Sequence, residues 1–101
     1  MVKARYQVVW TIRSQKHLKQ VFDYISKDSR KNAEKVVNAI TTAVEKAATN
    51  PGYHKPDKYK QNNDGSYRVF EKYHYRVSYR FAKDIIRVLR VRHTSMEPKP
   101  Y

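Results

Sequence analysis

The sequence predicts an α+β fold: a small, mostly antiparallel sheet with an N-terminal helical hairpin packed on one face. Three observations predict it. Tyr67–His93 is dense in Tyr, Val, Ile and Phe, residues that suit a pleated, half-buried surface. Inside that stretch Tyr75, Val77, Tyr79 and Phe81 alternate with Arg76, Ser78 and Arg80, so one face is apolar and the other basic. Ahead of it lie two stretches whose apolar residues recur at helical spacing.

In chain order, Tyr6–Ile12 reads as a first strand, short and β-branched. Ser14 offers an N-cap for a helix running to about Lys27, with Leu18, Val21, Phe22 and Ile25 at i, i+3, i+4, i+7. Asp28 or Ser29 can cap a second helix reaching about Thr49. Its stripe is Ala33, Val36, Val37, Ile40, Ala43, Val44, Ala47 and Ala48, and Asn50-Pro51-Gly52 stops it. The Ala-rich end suits a close approach to the sheet. His54–Ser66 is a long polar loop, and its Asn63-Asp64-Gly65 is a turn signal. Tyr67–Glu71, Tyr75–Phe81 and Ile85–Arg92 then form an antiparallel meander. The order is β-α-α-β-β-β, with the face that carries Arg76 and Arg80 left open. Thr94–Tyr101 holds two prolines and reads as irregular.

With 101 residues the chain reads as a single domain, 1–101. Lys and Arg number 22 against 9 Asp and Glu, a net charge of +13. Such a surplus speaks of partners and not of fold. Nine tyrosines interleave with the basic residues, which favours nucleic acid, where stacking and phosphate contacts act together. There is no cysteine, hence no disulfide framework and no thiolate metal site. No apolar run approaches the roughly 20 residues that span a membrane. The N-terminus lacks the pattern of a signal peptide, so a cytoplasmic location is expected, with no membrane partner.

The order of elements and several strings together resemble the RelE/ParE superfamily of bacterial type II toxins. VVWTIRSQKHLKQVFDYI resembles its opening strand and first helix, and AITTAVEKAATNPGYHKPDKY the end of its second helix and the loop beyond. YHYRVSYRF followed by DIIRVLRVRH resembles its core strand pair. The resemblance implies a toxin held inactive by a cognate antitoxin that wraps it with an acidic segment. RelE-like members are ribosome-dependent mRNA endonucleases that inhibit translation and arrest growth; ParE-like members poison DNA gyrase without being nucleases.

The first expectation is the mRNA interferase, a metal-independent endoribonuclease that needs no cofactor. Cleavage by the substrate's own 2′-OH requires a proton acceptor, a stabiliser of phosphate charge and a proton donor. By resemblance, Arg76 binds the phosphate, His93 is the acid or base, and Tyr101 stacks on or activates the substrate. Lys55, Lys58, Lys60, Arg68, Lys72, Arg80, Arg90 and Arg92 are candidates to contact RNA phosphates, with His54 and Glu71 as further acid/base candidates. Two departures favour the gyrase-directed alternative. The strand before the core pair offers Arg68 followed by Phe70 in place of alternating lysines, and Thr94-Ser95 stands where RelE-like members carry arginine. A non-toxic basic nucleic-acid-binding module is the third reading.

Overall fold

A computed structural model describes residues 5–96 and 99–101. Seven elements follow in order: β1 (Gln7–Trp10), α1 (Ile12–Ser26), α2 (Arg30–Thr49), β2 (Lys55–Pro56), β3 (Tyr67–Lys72), β4 (Tyr75–Ala82) and β5 (Ile85–His93). The five strands form one sheet in the order β1-β5-β4-β3-β2. All neighbours are antiparallel except β1 and β5, which run parallel, with Gln7 opposite Ile85 and Trp10 opposite Val88. The α+β architecture thus stands, with a two-residue strand added inside the long loop. Among the described residues no helix is long and apolar enough to cross a membrane.

The helices form where their stripes predicted, with one shift in the caps. The first strand is shorter than Tyr6–Ile12, because Thr11 turns the chain and caps α1 instead of Ser14. The Thr11 Oγ1 accepts the Ser14 N–H at 3.1 Å, while the buried Ser14 hydroxyl donates back to the Thr11 carbonyl at 2.9 Å. Ser29 caps α2 by accepting the Asn32 N–H. Ala33, Ile40, Val44, Ala47 and Ala48 of α2 are all buried, and the small residues at its end let it lie against the sheet. Their counterparts from the sheet are Val77, Tyr79, Ile86, Val88 and Val91. The Tyr79 hydroxyl donates to the Pro51 carbonyl at 2.8 Å, so the stop after α2 is fastened to the core.

Two features set which side chains reach the opposite face. The pairing of β4 with β5 slips at Ser78/Tyr79: Ser78 faces Arg90 and Tyr79 faces Val88, which leaves Leu89 as the extra residue of a bulge. The slip keeps Ile86, Val88 and Val91 in the core while Arg87, Arg90 and Arg92 all share the other face. The hairpin turns Tyr73-His74 and Lys83-Asp84 hold positive φ at both central residues, matching the twist of the strands they join.

Beyond the end of β1 the edge of β5 is closed by side chains. Thr11 Oγ1 donates to the Leu89 carbonyl at 3.4 Å, and His17 Nδ1 accepts the Val91 N–H at 3.1 Å. Burial, then Arg13, Arg92 and Arg90, lowers the His17 pKa below 6.5; burial alone lowers that of His54. For both groups the unfolded chain takes up its proton first. Stability is therefore expected to be full above pH 6.5 and to fall as the pH drops below it. At the alkaline end, burial raises Tyr75 and pushes Tyr79 up to about 12, so stability falls again as pH rises above 10. Urea midpoints measured from pH 5 to 11 check this: a flat profile below neutrality would refute the account, and His17→Asn should shallow the acidic arm.

Candidate functional site

The face away from the helices was expected to lie open, but its middle is covered. Asp57, just after β2, is 1% exposed although it carries a carboxylate. Its Oδ1 accepts the Tyr59 N–H at 3.0 Å and its Oδ2 accepts the Tyr101 hydroxyl at 2.6 Å. Tyr101 also forms a short backbone bridge: its N–H donates to the Tyr59 carbonyl, and its carbonyl accepts from Gln61. Residues 57–61 and 99–101 thereby form a patch over the sheet, and Ser78 beneath is wholly buried. An Asp followed two residues on by a backbone N–H that its carboxylate accepts is an Asx turn. That local pattern is the sequence signal for Asp57, and it looks like ordinary loop chemistry.

Arginines surround this patch. Arg90 lies over the Tyr101 ring, its guanidinium carbon 4.1 Å from the centroid, and donates to the Lys99 carbonyl at 2.8 Å. Burial lowers the Arg90 pKa, Tyr101 and Asp57 oppose that shift, and Arg92 and Arg76 add to it. Arg76 has a largely buried side chain, over the Tyr59 ring at 5.3 Å and 3.5 Å from Glu71. Arg76 stands directly opposite Arg92, and Arg80 opposite Arg87. Like charges facing across a ladder repel, so these two pairs favour an anion above the sheet. The Tyr101 hydroxyl has its pKa raised well above the usual phenol range, by burial first and by the bond to Asp57 second.

The other candidates are dispersed. His93 ends β5 opposite Tyr75, on the helix side of the sheet, with its ring edge-on to Tyr75 at 5.1 Å and stacked on His74 at 6.4 Å. Its Nδ1 accepts the Ser95 N–H. Arg68 points to the helix side as well and donates to the carbonyls of Gly65, Gly52 and His54 at 2.7, 3.1 and 2.8 Å. Arg80 donates to the Ser66 hydroxyl and lies over the Tyr67 ring at 5.1 Å. Lys60 sits over Tyr67 and Tyr101, and Lys58 over Tyr59. Lys55 is exposed on β2; Lys72 is exposed at the end of β3, beside Tyr73 and the side of α2. Glu71 is exposed beside Arg76, and His54 stacks on Phe70 at 4.8 Å. The structure thus brings together Arg76, Arg90, Lys60 and Tyr101, and leaves His93 and Arg68 on the other side.

The comparisons with known proteins agree with this architecture. Residues 8–98 match the family described as ParE toxin of type II toxin-antitoxin system, parDE. A Sinorhizobium fredii protein named "Putative toxin Y4kP" is 30% identical over 94 residues, covering 93% of this chain and 94% of its own. Among solved structures, one titled a chromosomal ParDE TA system from P. aeruginosa aligns with a TM-score of 0.70 at 20% identity, over 88% of this chain and 96% of that one. The toxin-antitoxin complex RelBE2 from Mycobacterium tuberculosis aligns at 0.63 and 18% identity, over 91% and 94%. The class is the toxin component of a type II toxin–antitoxin system. Within the RelE/ParE superfamily, the chain belongs to the ParE toxin family.

Proposed function

We propose that this toxin acts as a binding inhibitor of DNA gyrase and not as a ribonuclease. One observation carries the reading: the three side chains that cleavage would need are not a set. His93 faces the helices, and Arg76 lies across the sheet beside Tyr59 and Glu71. The Tyr101 hydroxyl donates to a buried carboxylate and is held protonated by its surroundings. A general acid must reach its proton acceptor within about 3 Å, and here the hydroxyl already has a partner. Membership of the ParE family supports the same target. The mRNA-interferase reading keeps one support, Arg76 and Arg90 over two tyrosine rings with Arg92 opposite Arg76, which suits a phosphodiester backbone.

The partner that restrains the toxin is a cognate antitoxin with an acidic segment, a reading supported by the complexes in which the structural neighbours were solved and by the charge of this chain. Both act in the cytoplasm. Two assays on the purified toxin decide the target. Gyrase supercoiling should be lost while primer extension on a defined mRNA in a reconstituted translation reaction shows no new 5′ ends. Intact supercoiling with new ends inside the ribosomal A-site codon would overturn the proposal. Arg76→Ala and His93→Gln would then be the first variants to test, since the cleavage reading requires both to abolish toxicity.

A further inference from the structure

Along the outer side of α2, next to the β3–β4 turn, runs an open cleft of about 530 Å³ that the patch over the sheet does not touch. Lys35, Asn38, Thr42 and Lys46 of the helix line it, with Lys72 and Tyr73 beside them. Steps of three and four residues set the four helix positions in one row. Lys35 and Lys46 stand about three turns apart, roughly 16 Å along the axis. Lys72 joins them because it pairs with Tyr75, whose ring is buried on the helix side of the sheet.

All three lysines are exposed. None of them takes a carboxylate among the described residues. The two acids of α2 are engaged elsewhere, Glu34 with Arg30 and Glu45 with Arg5, and no acidic residue lines the cleft. Three ammoniums therefore add their fields over one concave surface. The Lys35 Nζ lies over the Tyr73 ring, 5.7 Å from its centroid, while Asn38, Thr42 and the Tyr73 hydroxyl supply hydrogen-bonding groups. The composition also says what kind of surface fits. No Leu, Ile, Val, Phe or Met lines the cleft, so an apolar anchor from a protein partner has no seat there. Lysine is depleted where proteins meet proteins, whereas it is a common contact to the phosphates of nucleic acid. An ammonium meets a phosphate as a point charge with no set angle, so a row of lysines suits a backbone read without regard to sequence.

We propose that this cleft binds the phosphate backbone of duplex DNA, with Lys35, Lys46 and Lys72 on successive contacts along it. The choice of DNA over RNA rests on the gyrase reading, since duplex DNA is the substrate of that target. The inhibitor would then hold the enzyme and its DNA at once, through different surfaces.

The test is fluorescence anisotropy of a short labelled DNA duplex of arbitrary sequence, titrated with the full chain at about 50 to 200 mM salt. Binding should be saturable and weaken steeply with salt. The triple variant Lys35→Gln, Lys46→Gln, Lys72→Gln should weaken it at least about tenfold at the lowest salt, and should shallow the log–log salt slope by about two to three. Its melting temperature should not fall, because all three positions are exposed. A control that removes the same charge elsewhere, Lys16→Gln, Lys27→Gln, Lys83→Gln, should shallow the slope by less than about one. Absence of duplex binding would overturn the proposal. Equal losses in the two triple variants would mean attraction by net charge alone and would overturn it too. So would tighter binding of an RNA duplex of the same sequence, or of an oligoglutamate peptide through the same lysines. The measurement contains no gyrase, so its failure is distinct from a failure of the supercoiling assay.

Discussion

Asp57→Ala is expected to destabilise the protein by about 3 kcal/mol. The carboxylate accepts two hydrogen bonds, from the Tyr59 N–H and the Tyr101 hydroxyl, and it is itself 1% exposed. Charge-assisted bonds of this kind contribute roughly 1.5–3 kcal/mol each, and removing the acceptor leaves a phenol buried without a partner. For a domain of this size the loss corresponds to a fall in melting temperature of roughly 12–24 °C. Tyr101→Phe should cost less, about 1–2 kcal/mol, because Tyr59 still satisfies one carboxylate oxygen. Thermal unfolding of both variants checks the account. A melting temperature within a few degrees of wild type for Asp57→Ala would mean that the patch over the sheet contributes nothing.

The second large effect belongs to Arg68. Arg68→Met should lower stability by about 2–4 kcal/mol by releasing the carbonyls of Gly52, His54 and Gly65. Three acceptors from two separate loops meet one planar fork, a geometry the point charge of lysine cannot copy. Arg68→Lys is accordingly expected to recover only a small part of the loss. Had Arg68 served a phosphate backbone, lysine would preserve the function and neither variant would change stability. Hydrogen exchange of the backbone between His54 and Ser66, read beside urea unfolding, separates these outcomes. In Arg68→Met that segment should exchange faster; unchanged protection would refute the fastening role.

The periodic parts of the fold were legible because periodicity is a local property. The stripe from Ala33 to Ala48 and the alternation from Tyr75 to Phe81 each report one buried face, and both lie where the sequence put them. The bulge at Leu89 was written in the sequence as well, since the arginines change parity between Arg87 and Arg90, but an uninterrupted strand reading hides it. The turns gave little sign: Tyr73-His74 and Lys83-Asp84 lack the Gly or Asn that marks positive φ. The parallel pairing of β1 with β5 joins segments far apart in the chain, and a short apolar run does not disclose its neighbour. The site was legible in composition and not in arrangement. Arg76, Arg90 and Tyr101 do meet, but through Asp57, a residue whose Asx turn reads as ordinary loop chemistry. His93 was placed by its position near the end of the chain, which says nothing about the side of the sheet it faces.

The parallel pairing of the first strand with the last has a consequence for how the protein comes into being. Gln7–Trp10 pairs with Ile85–Val88, so the sheet cannot close until nearly the whole chain has been synthesised. Contacts of such sequence separation form late and slowly, because the intervening loop must be closed before they return any stabilisation. Until then the helical hairpin exposes the apolar stripe meant for the sheet, and a nascent chain in that state is prone to aggregate. The arginine-lined face likewise takes shape only when β5 joins β4.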